Sequence, residues 1–290
     1  DSTILPLRLP VSPENPTELI LVLSTDTQTL TALDLSERTV WEYRLGSPAL
    51  GRPVLIRQHA FVTTFNGEVH EIDLTTGKLI GRYDLGQNLS VGGAHRRLGK
   101  SDLLYIPADD SCVYVLDVTN RKCKMILYTE HPSGSIRSRT LLVGEALIQD
   151  ELGAKDTYSY MVLNQTDGLD ATEMQVIKLP IKDRHQRPLS MRPLPRMKGW
   201  TWFQPYHDGE KLVVLSDWPQ VGLFGVRLRG NEDNPLFSLL PRTTGDVRPM
   251  GENLRQFFEV PPLENESPGS SRGRAQVMHV LDREYWVLAL

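Results

Sequence analysis

Apolar residues recur with a period of two in three stretches of the first half of the chain. These are "QTLTALDLSERTVWEYRLG" (28–46), "FNGEVHEIDLTTGKLIGRYDLG" (65–86) and "SCVYVLDVTNRKCKMILY" (111–128). A period of two marks a strand, and each stretch is interrupted by a short polar turn, so each predicts a β-hairpin. Leu33 and Leu35 correspond to Ile72 and Leu74, then to Leu116 and Val118, with Ala32 and Val115 apolar on the opposite face. Strands that are partly apolar on both faces belong to sheets covered on both sides. The turns carry their own chemistry. Asp34, Asp73 and Asp117 stand where a carboxylate can accept backbone N–H groups, and Gly77 stands where a tight reversal demands a positive φ.

Further short strands precede two of these hairpins: "RPVLI" (52–56) and "HAFVTTF" (59–65) before the second, "DLLYIPA" (102–108) before the third. At the N-terminus "ILPLRL" and "LILVLS" supply a first and second strand for the opening unit. Aligned on Asp34, Asp73 and Asp117, the repeats are spaced 39 and 44 residues apart (73 − 34 and 117 − 73). That period is one four-stranded blade of a β-propeller. Degraded copies follow at 157–179, 211–240 and 275–290. The expected fold is all-β, a propeller of four-stranded antiparallel blades with little helix. The last copy ends after "YWVLAL", which predicts about five complete blades and part of a sixth, a single propeller domain cut from a parent of six to eight blades.

Composition narrows the function. The 290 residues are 40% hydrophobic with a net charge of −4, which offers no global attraction for nucleic acid or an anionic membrane. The longest apolar run, "LILVL" (19–23), is far shorter than a spanning helix. Cys112 and Cys123 flank a hairpin turn and would lie about 17 Å apart at about 3.3 Å per residue. Disulfide geometry cannot bridge that distance, so both are expected as free, buried thiols. The histidines at 59, 70, 95, 131, 185, 207 and 279 stand singly, without the spacing of a transition-metal site, and are read as loop or strand-surface residues. "HPSGSIRS" (131–138) brings Ser133 and Ser135 near His131 but has no nucleophile elbow, and is read as an interblade connection.

The repeats resemble the pyrroloquinoline-quinone-type propeller family, whose repeat runs Ala-x-Asp-x-x-Thr-Gly-Lys-x-x-Trp. Ala32, Asp34 and Trp41 match in the first copy, whose turn is one residue short. Asp73, Thr76, Gly77 and Lys78 match in the second, where Gly81 replaces the tryptophan, and Asp117 and Lys122 remain in the third. The resemblance implies that Trp41 docks on the next blade, with Asp34, Asp73, Gly77 and Asp117 in structural roles. It also raises a quinone-dependent dehydrogenase as an alternative function, beside which stands another enzyme working at the channel mouth. Such dehydrogenases pair the quinone with calcium and often with adjacent cysteines. The chain has no adjacent cysteines and no assignable calcium ligand set. The resemblance is therefore to the non-enzymatic scaffold branch. It implies no cofactor, a protein partner met at rim loops or a central channel, and a bacterial envelope or secreted setting.

One segment stands apart, "RHQRPLSMRPLPRMKGWTWFQPYHDG" (184–209). Arg184, Arg187, Arg192 and Arg196 lie beside Trp200 and Trp202, a composition suited to an acidic or anionic partner. The competing reading is a proline-stiffened connection feeding a core strand. "PPLENESPGSSRGRA" (261–275) has the composition of a loop.

Overall fold

A computed structural model describes residues 2–9, 17–149, 155–168 and 170–179, and beyond these 189–190, 197–201, 204–207, 211–215, 220–229, 236–241, 257–259, 275–280 and 283–288. Among the described residues there is no helix. The chain divides into two compact units, Asp1–Arg139 and Thr140–Leu290.

The first unit is three antiparallel four-stranded meanders. The first blade contains β1 (Ser2–Leu9), β2 (Thr17–Ser24), β3 (Thr29–Leu33) and β4 (Thr39–Arg44). The second contains β5 (Val54–Ile56), β6 (His59–Thr63), β7 (Glu68–Asp73) and β8 (Leu79–Asp84). The third contains β9 (Ala94–Leu98), β10 (Ser101–Pro107), β11 (Cys112–Asp117) and β12 (Lys122–Tyr128). Alternation divides each blade's side chains between two interfaces. Ala60, Val62, Ile72 and Leu74 of the second blade pack on Leu21, Leu30, Ala32 and Trp41 of the first. Its other face sends Val54, Ile56, Phe61 and Val69 against Leu104, Ile106, Leu116 and Val118 of the third. Two-sided burial is the reason these strands are apolar on both faces.

The β3–β4, β7–β8 and β11–β12 turns share one construction. Asp34 Oδ1 accepts the amides of Ser36 and Arg38, and Asp73 Oδ1 accepts those of Thr75 and Thr76 and the Thr76 hydroxyl. Asp117 Oδ1 accepts the Asn120 amide while Oδ2 accepts its side-chain N–H. The residue that closes each turn has a positive φ: Glu37 at 62°, Gly77 at 69° and Arg121 at 52°. These hydrogen bonds favour the charged carboxylates. The Arg38 amide holds Asp34 below the ordinary carboxylate range. At Asp73 and Asp117 burial pushes upward, but hydrogen bonds from Thr76 and Asn120 outweigh it and hold both low.

In the second unit β13 (Leu141–Gln149), β14 (Lys155–Asp167) and β15 (Ala171–Leu179) form one antiparallel sheet with β13 at its edge, to which Leu189–Ser190 and Met197–Lys198 add on β15. Tyr206–His207, Lys211–Leu215, Gln220–Arg229 and Leu236–Pro241 form a second sheet, joined by Phe257–Glu259. Ala275–Val280 and Arg283–Leu288 pair as a hairpin.

Two expectations change. Cys112 is buried, but Cys123 is exposed because β12 is the last strand of its sheet; both are free. The histidines are not uniformly superficial, since His70 is 3% and His131 0% exposed. Both are buried because neighbours satisfy their ring nitrogens.

Candidate functional site

The two interfaces of the first unit are built on the same plan and filled differently. At the first, Trp41 leaves β4 opposite Ala32, whose small side chain gives the indole room to cross to the second blade. There Nε1 donates to the Leu74 carbonyl at 3.0 Å, and the ring lies over Gly77. A Cβ at Gly77 would stand 2.6 Å from Trp41 Cδ2, so only glycine fits beneath the ring.

The second interface has different residues at each corresponding position. Glu71 takes the place of Ala32, Gly81 that of Trp41, and Arg121 that of Gly77. Val118, which follows Asp117 as Leu74 follows Asp73, presents the corresponding carbonyl. With no ring crossing from β8, a cleft of about 590 Å³ lies between the second and third blades. Ile56, Phe61 and Val118 give it apolar walls, and Arg57, His59, Glu71, Asp102, Thr119 and Arg121 give it polar ones.

Its charges are paired. Glu71 is 4% exposed, accepts His59 Nδ1–H at 2.7 Å on Oε1, and has Arg121 Nη2 at 3.8 Å from Oε2. The Tyr83 hydroxyl reaches Oε2 at 3.5 Å. Burial, with the Glu71 charge beside it, pushes that phenol up to about 12. Asp102 is 6% exposed, accepts Arg57 Nη2 at 2.7 Å on Oδ2, and accepts His95 Nε2–H at 3.0 Å on Oδ1. The carboxylates are buried, whereas Arg57 and Arg121 are 63% and 56% exposed. Arg57 is thus held by Asp102 through a short ion pair, Arg121 stands within ion-pair range of Glu71, and most of each guanidinium stays exposed. Among the described residues no group of three His, Cys, Asp or Glu side chains could hold a metal ion.

Sequence reasoning placed Asp34, Asp73, Gly77, Asp117 and Trp41 in the blade framework, and all lie in the turns and docking contact just described. Of the cleft's polar residues it named only His59, as a loop or strand-surface histidine. The available signal was Gly81 at a tryptophan position, coupled to a glutamate at Ala32's place and an arginine at Gly77's. Arg184, Arg187, Arg192, Arg196 and Trp202 lie outside the described residues. Trp200 is half-buried. Residues 197–201 run beside β15, where Thr172 Oγ1 donates to the Gly199 carbonyl at 2.8 Å and accepts the Thr201 amide at 3.1 Å. Ser133 donates to Asp109, not to His131, and 131–138 lies between β12 and β13.

The fold defines the class: an all-β protein whose first unit is built of four-stranded, propeller-type blades stacked face to face. No family model matches the chain, and no curated protein matches it. Among solved structures it is similar to BamB from Moraxella catarrhalis, with 15% sequence identity and a TM-score of 0.41. The match covers 68% of this chain and 66% of that one, less than two thirds of its length. No helix among the described residues is long and apolar enough to cross a membrane.

Proposed function

We propose that this chain is a non-catalytic binding scaffold that meets a protein partner at the cleft between its second and third blades. The observation that carries this reading is the pair of exposed guanidinium groups, on Arg57 and Arg121, beside buried carboxylates at a cleft with apolar walls. Glu71 is paired with His59, with Arg121 3.8 Å away, and Asp102 is paired with His95 and Arg57. The charges open to an incoming group are the exposed guanidinium edges of Arg57 and Arg121, which suit recognition. By composition, Arg184, Arg187, Arg192, Arg196, Trp200 and Trp202 are proposed as a second contact region for the same partner.

The test is site-specific photo-crosslinking in the native host. Gln58 is exposed on the cleft wall, and Glu37 is exposed on the turn of the first blade. A crosslinker at position 58 should give a discrete protein adduct that one at position 37 does not. If neither position yields an adduct, and the purified protein with pyrroloquinoline quinone and calcium oxidises an added alcohol or aldose and passes the electrons to an accepting dye, the scaffold reading is wrong.

A further inference from the structure

We propose that the cleft between the second and third blades is a docking site for an aromatic side chain next to a carboxylate, both presented by a segment of a partner protein. This inference rests on the scaffold reading and names the chemistry its partner must carry. The protein itself supplies the precedent. At the preceding interface an indole enters the corresponding space, lies against the closing residue of the next turn, and donates to the carbonyl after the turn aspartate. At the second interface the framework is retained. The backbone bond that positions that carbonyl is present in both blades, from Leu74 N–H to the Gln58 carbonyl at 2.8 Å and from Val118 N–H to the Asp102 carbonyl at 3.0 Å.

What has changed is the source of the ring. Gly81 has no side chain to send across, and the Glu71 carboxylate lies over it, with Oε2 3.0 Å from where a Cβ would stand. The walls from Ile56, Phe61 and Val118 suit a flat apolar group, and a volume of about 590 Å³ is in the range of small-ligand pockets. Arg121 stands where Gly77 lies under the Trp41 ring, so a ring in the cleft meets a guanidinium, a favourable cation–π contact.

The second part of the occupant follows from charge. Arg57 and Arg121 each contact their buried carboxylate through Nη2, and a guanidinium has five N–H donors. Their remaining donors favour a carboxylate at the mouth and oppose a cationic ligand. An aromatic residue with an adjacent acidic group satisfies both the walls and the mouth.

N-acetyl-L-tryptophan carries the ring and the carboxylate and is the probe. Titrated into the isotope-labelled full chain, it should give saturable NMR shifts at the amides of His59, Thr119 and Arg121 and leave Gly77 unmoved. N-acetyl-L-tryptophanamide, without the charge, should bind about tenfold more weakly. N-acetyl-L-alanine, without the ring, should not saturate. Combining Glu71→Ala, Gly81→Trp and Arg121→Gly copies the first interface into the second and should abolish binding while raising Tm. Should that variant fail to fold, Arg57→Ala with Arg121→Ala, both at exposed positions, should still weaken the probe about tenfold or more. Absence of saturation by N-acetyl-L-tryptophan, or equal binding of N-acetyl-L-alanine, would overturn the aromatic occupant. If Gln58 still crosslinks a partner in that event, the scaffold reading stands without it.

Discussion

Single residues in the turns carry large and opposite conformational costs. A non-glycine residue at positive φ costs about 1–2 kcal/mol, and Glu37 bears that cost at an exposed position. Glu37→Gly should therefore raise stability by about 0.5–1 kcal/mol after the glycine's own entropy loss, read as a higher urea midpoint. Gly77→Ala should lower it by more than about 1–2 kcal/mol, because the new methyl meets both the positive φ and the Trp41 ring. His131 predicts a pH effect. It is fully buried, with Nε2–H donating to the Ala108 carbonyl at 3.1 Å, so Nδ1 accepts from the Thr129 hydroxyl at 2.6 Å. Burial holds its pKa below the usual 6.5. Below that pH the unfolded chain takes up a proton that the folded one refuses, so stability is lost as pH falls from about 6.5 through the depressed value. Replacing His131 with Gln should remove that component from the pH profile of the urea midpoint. The cysteines differ in access. Burial raises both thiols above their ordinary value, so both react slowly, but at pH 8–9 a thiol reagent should label exposed Cys123 in the native protein and reach Cys112 only on unfolding.

At the scale of the element, the β3–β4 hairpin and the β7–β8 turn act as one unit through Trp41. Trp41→Ala removes a ring that is 8% exposed and leaves Gly77 and the Leu74 carbonyl uncovered, at a cost of about 3–5 kcal/mol in the urea midpoint. Trp41→Phe keeps most of the apolar contact and loses the indole N–H, so the cost should fall to about 1–3 kcal/mol. A change within about half a kcal/mol for the alanine variant would mean that the dock contributes nothing.

At the scale of the whole molecule, the stacked blades of the first unit predict that damage travels only to neighbours. The core between the first and second blades and the core between the second and third share no residue. In a nearest-neighbour stack a lost interface weakens the two sheets that form it before it weakens a third. Hydrogen exchange of Trp41→Ala should therefore speed up in β2, β3, β6 and β7 while the amides of Leu104 and Leu116 keep their protection. Uniform loss of protection would show that the chain unfolds as one cooperative body.

The sequence alone determined the strands, their period and the capped turns, because alternation and turn chemistry act over a few residues. "LTALDLSERTVWEY" and "VHEIDLTTGKLIGR" announce hairpins by themselves, and Asp34 and Asp73 cap them through atoms two to four residues away. Only the tertiary structure decided what the departures from the repeat mean. Gly81 reads in one dimension as a lost tryptophan. Its consequence depends on Glu71 across the β7–β8 ladder and on Arg57, Asp102 and Arg121, which chain reversal and blade stacking bring to the same space. Likewise no local signal says that Cys123 faces outward on a last strand, or that His131 finds partners at residues 129 and 108. Secondary structure is specified by neighbours in sequence. Burial and charge pairing are specified by neighbours in space, which sheets join from residues dozens of positions apart.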